Sequence, residues 1–297
     1  MKRIFWIGNL ICWCVFPVIG FAQSVTPPVI EKNRRNQEDG LEQTRKSSED
    51  SESKAVFVKR GALSVKKKIS RAQKKLLQPS NADSNRYASF LKNPNTGLIK
   101  IFPDIGCEDN GNVVRADEDC LKTIPMSAFY SFREQNYTPD FLSDIRLKND
   151  VLISDGLLTQ GVLTTLGDIS LEDVSLASAG LKFINEFKPE THSREALNQT
   201  KQLIKGIKAD GYIYRKALPA VENTTYALRV VAYRGSFIQT FRGLPFDMLA
   251  GDERVDIIVA FRVLKKDEAG NFTLLWKELS QKDAPKIILT KKTKKTE

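Results

Sequence analysis

Histidine is nearly absent from this sequence, and the motifs of common catalytic and metal sites are missing. The 297 residues contain one histidine, His192, through which any Ser-His-Asp or Cys-His mechanism would have to pass. No G-x-S-x-G turn, C-x-x-C pair, H-E-x-x-H motif or glycine-rich phosphate loop occurs. His192 lies at a predicted helix start, where a surface polar residue is expected. The sequence therefore favours a protein with no catalytic triad, metal or cofactor.

Long apolar runs are also scarce: a single one occurs, at residues 4–21. It follows the basic residues Lys2 and Arg3 and leads to small residues that end at Ala22. This arrangement is typical of a secretory signal peptide, so residues 1–22 are predicted to be cleaved off. We expect an exported protein, periplasmic or extracellular, with no transmembrane segment after cleavage.

Four cysteines occur, and two of them, Cys12 and Cys14, lie within the predicted signal peptide. Cys107 and Cys120 remain, and export to an oxidising compartment predicts a disulfide between them. Asn110-Gly111 lies between the two and allows the chain to turn back. The acidic residues of this loop lack the spacing of a calcium-binding loop.

Positive charge is unevenly distributed along a chain of net charge +10. Residues 54–85 contain nine basic residues and one acidic residue, and residues 286–297 contain five and one. Residues 86–285 contain 25 basic and 27 acidic residues, so the predicted folded part is close to neutral. This makes nucleic acid an unlikely partner and favours an anionic envelope surface or an acidic protein.

The chain divides by composition. Residues 23–53 combine dense mixed charge with few apolar residues and are predicted to be a disordered linker. Residues 54–85 form a basic segment, residues 86–290 a globular domain, and residues 291–297 a basic tail. Within the basic segment, apolar residues recur at steps of three and four over 62–78 and predict an amphipathic helix. Its opposite face carries the candidate surface contacts Lys66, Lys67, Lys68, Arg71, Lys74 and Lys75. A linker helix whose lysines are simply hydrated is the alternative.

The stretch from Val255 to Leu279 predicts two strands joined by a polar turn. Both faces of the first strand are apolar, which is typical of the centre of a covered sheet. Ser193 to Lys208 predicts a helix, with Leu197, Leu203, Ile204 and Ile207 facing inward. Leu181 to Phe187 is predicted to be a strand. We expect an α+β fold, a mostly antiparallel sheet with one long covering helix, or alternatively a β-sandwich with an appended helix.

Two arginines, Arg229 and Arg262, fall within apolar runs and are candidate anion-binding residues. Pairing with nearby carboxylates such as Asp256 is the default expectation. The sequence favours a non-enzymatic binding or structural domain whose basic flanks contact an anionic surface or polymer. Two alternatives stay open: a subunit of a larger assembly, and an envelope glycan hydrolase using paired carboxylates, with Asp155 the first candidate.

Overall fold

The computed structural model describes residues 64–241 and 243–289. The predicted signal peptide 1–22, the linker 23–53 and the basic tail 291–297 lie outside the described residues, as does the first part of the basic segment.

Within the described residues the chain forms seventeen strands, five α-helices and two 3₁₀ turns. The helices are α1 (Arg71–Leu76), α2 (Asn81–Arg86), α3 (Glu118–Lys122), α4 (Leu181–Glu186) and α5 (Ser193–Lys205). The 3₁₀ turns are Phe90–Lys92 and Asp140–Leu142. The first strands are β1 (Ser64–Lys66), β2 (Thr96–Ile101), β3 (Glu108–Asn110), β4 (Val113–Arg115), β5 (Phe129–Ser131), β6 (Asn136–Tyr137), β7 (Ile145–Lys148), β8 (Val151–Ile153) and β9 (Thr159–Gly167). They are followed by β10 (Ile207–Ala209), β11 (Tyr212–Tyr214), β12 (Ala217–Pro219), β13 (Thr224–Ala232), β14 (Ile238–Phe241), β15 (Leu244–Asp247), β16 (Val255–Lys266) and β17 (Phe272–Asp283).

The central sheet has the order β2-β17-β16-β13-β9, and every pairing in it is antiparallel. Its longest hairpin, β16–β17, is the one predicted from the two-sided apolar pattern. Asp267 closes the turn by accepting hydrogen bonds from the backbone N–H groups of Ala269 and Asn271, each at 3.0 Å. Gly270 there has a φ of 82°, a conformation that favours glycine.

A second antiparallel sheet, β12-β8-β7-β5-β6, packs on one face of the central sheet. The contact is a core of fully buried side chains from both layers, because alternate residues of each strand point toward the other sheet. From the second sheet they include Ile145, Leu147 and Leu152, and from the central sheet Leu228, Val230 and Phe261. The two sheets therefore pack face to face, and β7 and β8 form an antiparallel hairpin.

The other face of the central sheet is covered by α4, α5, the β10–β11 hairpin and the loop before α4. Leu181 to Phe187, predicted as a strand, is helix α4 for most of its length. Helix α5 is present, but the single long covering helix is not confirmed. It buries Ala196 and Leu203, whereas Leu197 and Ile204 are 56% and 61% exposed. The fold is strand-rich and antiparallel with few helices.

Of the helix predicted over residues 62–78, the described part is helical only over Arg71–Leu76. Ser64–Lys66 is instead strand β1, paired antiparallel with β4. A helix begins only at Arg71, where Ser70 and Gln73 form a reciprocal capping box. The apolar stripe is too thin to hold a longer helix, since no residue of α1 is buried, while the edge of β4 offers backbone hydrogen bonds to an extended chain.

Candidate functional site

The described part of the basic segment carries a dense set of exposed cations. Residues 64–80 contain six basic residues and no acidic residue. Five of the six side chains are exposed, and among the described residues none of the five has a carboxylate partner within salt-bridge distance. We call these five the basic face: Lys66, Lys68, Arg71, Lys74 and Lys75. The sequence had predicted all five as surface contacts.

Lys67, the sixth basic residue, points inward, and its hydrogen bonds attach the basic face to the domain. Its Nζ donates to the backbone oxygen of Thr123 at 2.6 Å and to that of Leu121. Its backbone N–H donates to the Asn112 oxygen at 2.7 Å. Burial lowers the pKa of the Lys67 ammonium. At the other end of the segment, the Tyr137 hydroxyl lies 3.3 Å from the Leu77 oxygen. The basic face is therefore part of the folded domain.

The strand that receives β1 lies inside a covalent loop. Cys107 and Cys120 are joined by a disulfide with a Cα–Cα distance of 5.1 Å, as the sequence predicted. The loop between them contains β3 and β4, and both cysteines are buried. Arg115, the last residue of β4, donates its backbone N–H to the Cys107 oxygen at 2.9 Å. The disulfide therefore constrains the loop that contains β4, the strand with which β1 pairs.

Arg229, the first anion-binding candidate, is buried and fully engaged with protein acceptors. Its Nε and Nη2 donate to the two Asp256 oxygens at 2.8 and 2.7 Å, and both side chains are 2% exposed. Its Nη1 donates to the backbone oxygens of Ile184 and Phe187, each at 2.7 Å. Arg229 therefore ties β13 to β16 and to α4, in the internal pairing expected by default.

Arg262, the second candidate, lies at a different point of the same sheet, opposite Thr225 of β13. Its Nη2 pairs with Asp168, and its Nη1 donates to the Ile169 oxygen at 2.9 Å and the Thr225 hydroxyl at 3.1 Å. The guanidinium side chain is 16% exposed. The two arginines are engaged by separate sets of partners.

Asp155 and His192 take structural positions. Asp155 forms an ion pair with Arg146 at 2.6 Å, and Arg146 also lies 3.5 Å from Asp104. Asp155 is therefore paired with a cation in this structure. His192 is the N-cap residue of α5, is exposed, and makes no capping hydrogen bond through its side chain.

Sequence reasoning missed a polar cleft, which we call the acidic cleft, where β16 begins and β17 ends. It has a volume of about 450 Å³, and its lining includes the carboxylates Glu253, Glu278 and Asp283. Burial raises the pKa of the Glu278 carboxyl, and the negative charge of Glu253 raises it further. The Gln281 amide donates to Glu253 at 3.3 Å.

A buried ionic network supports one wall of this cleft. Arg133 lines the cleft while its side chain is fully buried, with Nε 2.7 Å from Asp144 and Nη1 3.0 Å from Asp252. Arg254 pairs with the same Asp252 at 2.6 Å. Asp252 lies 119 residues from Arg133 in the sequence, so only the fold brings this network together.

Comparison with protein-family models, with curated proteins and with solved structures returns no match. Within residues 64–241 and 243–289, no helix combines the length and the hydropathy needed to cross a membrane.

Proposed function

We propose that this protein is an exported, non-enzymatic binding module whose basic face attaches it to an anionic surface or polymer. The observation that carries the proposal is the basic face itself, five exposed cations on one short segment that is anchored to the domain by Lys67 and by β1–β4 pairing. A fixed array of cations retains its spacing without an ordering cost on binding, and this favours affinity. Export is supported by the signal-peptide pattern of residues 1–22 and by the disulfide.

The experiment measures binding of the chain lacking residues 1–22 to vesicles that contain phosphatidylglycerol, and to soluble polyphosphate. Wild-type affinity is expected to fall steeply as salt rises, because exposed charges are screened. The triple variant Arg71→Gln, Lys74→Gln, Lys75→Gln is expected to bind vesicles about 100-fold more weakly, since each cation near an anionic surface contributes about 1 kcal/mol.

The matched control removes the same number of charges from elsewhere, with Lys201→Gln, Lys205→Gln and Lys208→Gln. These lysines are exposed on and just after α5. The control is expected to stay within about threefold of wild type, since long-range attraction is weak beyond a Debye length. Equal losses in both triple variants would show a diffuse charge effect and contradict a defined face. If the wild type bound neither the phosphatidylglycerol vesicles nor polyphosphate, the proposal would be rejected.

A second candidate function, hydrolysis of envelope glycans, is favoured by the acidic cleft. A carboxylic acid with a raised pKa beside a second carboxylate is the arrangement that glycoside hydrolysis requires. Glu278→Gln and Glu253→Gln are each expected to slow hydrolysis at least about 100-fold if the cleft is catalytic. Release of reducing sugar ends from isolated envelope glycan measures this, with the exposed Glu195→Gln on α5 as control. Wild-type protein that releases none would eliminate this candidate.

A further inference from the structure

The hairpin β14–β15 is a separate two-stranded sheet that carries exposed apolar side chains. Its two strands pair with each other and with no other described strand. Ile238, Leu244 and Phe246 are 59%, 71% and 58% exposed. Leu244 and Phe246 lie two residues apart and share one face of the hairpin, whereas Ile238 pairs with Asp247 on the other face. An isolated two-stranded hairpin is marginally stable in water, and large apolar side chains exposed on one face mark an interaction site.

The base of the hairpin is held to the domain by directed contacts. One Asp247 oxygen accepts hydrogen bonds from the backbone N–H groups of Phe237 at 2.9 Å and Leu249 at 3.1 Å. Met248 N–H donates to the Phe237 oxygen at 3.0 Å, and Leu249 is buried. Asp247 is therefore committed to closing the hairpin. The exposed apolar residues are consequently presented from a defined position.

The end of the described chain pairs with Arg234, which precedes the hairpin, and Ile288 is hydrogen-bonded through its backbone to Thr191 and Ser193. Arg234 N–H donates to the Pro285 oxygen at 2.9 Å, and Ile287 N–H donates to the Arg234 oxygen at the same distance. Ile287 is buried, but the next two residues, Ile288 and Leu289, are 52% and 61% exposed. Arg234 and Lys286 are both exposed there. The sequence then continues into the lysine-rich tail.

Exposed apolar side chains with exposed cations, Arg234 and Lys286, close to them in the chain match the chemistry of one surface in particular. At the boundary of an anionic bilayer, apolar groups enter the acyl region while basic groups contact phosphates. A second copy of this chain fits less well, because a symmetric interface would bring Arg234 and Lys286 of both copies together. Arg234 has one carboxylate near it, Asp283 at 3.8 Å, which is 89% exposed.

We propose that the hairpin β14–β15, together with Ile288 and Leu289, inserts its apolar side chains into the interface of an anionic phospholipid bilayer. This inference rests on the proposed attachment to an anionic surface and names that surface as lipid. The basic face supplies an attraction that salt screens, whereas insertion of apolar side chains supplies one that salt does not screen. The two contributions can therefore be measured apart.

The test compares vesicle binding of the chain lacking residues 1–22 at about 0.1 M and about 1 M NaCl, where the Debye length is about 10 and 3 Å. Wild type is expected to retain measurable binding to phosphatidylglycerol vesicles at the higher salt. Leu244→Ser with Phe246→Ser is expected to lower that residual binding about tenfold or more. The matched control, Leu197→Ser with Val221→Ser, removes apolar side chains that are 56% and 52% exposed elsewhere and is expected to bind as wild type does.

A reporter at the hairpin gives an independent readout. In Phe246→Trp, the emission is expected to shift to the blue with phosphatidylglycerol vesicles and to stay unchanged with phosphatidylcholine vesicles. An unshifted emission together with unchanged binding by the serine variant would overturn the hairpin proposal while leaving the basic face standing. Conversion of a wild-type dimer to a monomer by the serine pair, with vesicle binding intact, would overturn it in favour of a second copy.

Discussion

Replacing Asp256 by alanine is expected to lower the free energy of unfolding by about 3–5 kcal/mol, because it leaves a charged group buried without its counter-ion. Arg229 and Asp256 form two hydrogen bonds at 2.8 and 2.7 Å, and each side chain is 2% exposed. The remaining Arg229 hydrogen bonds go to three neutral backbone oxygens. Lys282, the other cation near Asp256, lies 3.7 Å away and is 57% exposed, so it does not replace the pair. Urea unfolding followed by circular dichroism measures the loss.

The control is an ion pair of the same chemistry at the surface. Arg262 pairs with Asp168, whose side chain is 78% exposed. Asp168→Ala is expected to cost less than about 1 kcal/mol, because solvent screens the exposed Asp168 carboxylate and Arg262 keeps its hydrogen bonds to Ile169 and Thr225. Equal losses for Asp168→Ala and Asp256→Ala would contradict the claim that burial makes the Arg229 pair essential to the fold.

Gly97→Ala is expected to destabilise the protein by about 3 kcal/mol through a collision in the core. Gly97 lies directly opposite Trp276 in the β2–β17 pairing. A Cβ atom on Gly97 would lie 2.3 Å from the Trp276 Nε1 and 2.7 Å from its Cε2. The indole is rigid and 1% exposed, and Phe132 and Tyr130 pack near it, so it has no free space to enter. Thermal unfolding by circular dichroism reports the change.

A double-mutant cycle identifies the cause. Trp276→Phe removes the pyrrole part of the ring system that the new Cβ would strike, at the cost of a cavity. In that background Gly97→Ala is expected to cost at least about 1 kcal/mol less than in the wild type, as expected for residues in contact. Strictly additive losses would mean that Gly97 is required for a backbone reason unrelated to the indole.

The sequence predicts the centre of this fold better than its covering layers. Strand β16 has apolar residues on both faces, a pattern that predicts a central strand. The structure explains it, because the two faces of β16 contribute side chains to two different hydrophobic cores. The stretch Leu181 to Phe187 has a spacing that suits a strand as well as one helical turn, and short apolar runs do not separate the two. Residues 62–78 fit a helix by periodicity. Residues 64–66 are a strand instead because they pair with the edge of β4, and no local sequence pattern reveals that pairing.

The candidate sites show the same division. The cations of the basic face are adjacent in sequence, so their exposure could be predicted from composition and spacing. The pairing of Arg229 with Asp256 was an expected default because both lie in apolar strands. The acidic cleft is lined by Glu253, which precedes β16, and by Glu278 of β17. Strand β17 extends beyond its pairing with β2 at this end. Such a cleft depends on strand lengths and register, which the sequence does not reveal locally.

The location of β4 within the loop from Cys107 to Cys120 has a practical consequence for producing this protein. Strand β1 lies on β4, so the geometry of the basic face depends on a covalent bond that reducing compartments do not sustain. Recombinant material from a reducing cytosol would have to order this loop by packing alone. Protein for surface-binding measurements should therefore come from an oxidising secretory route, with its thiol content measured before use.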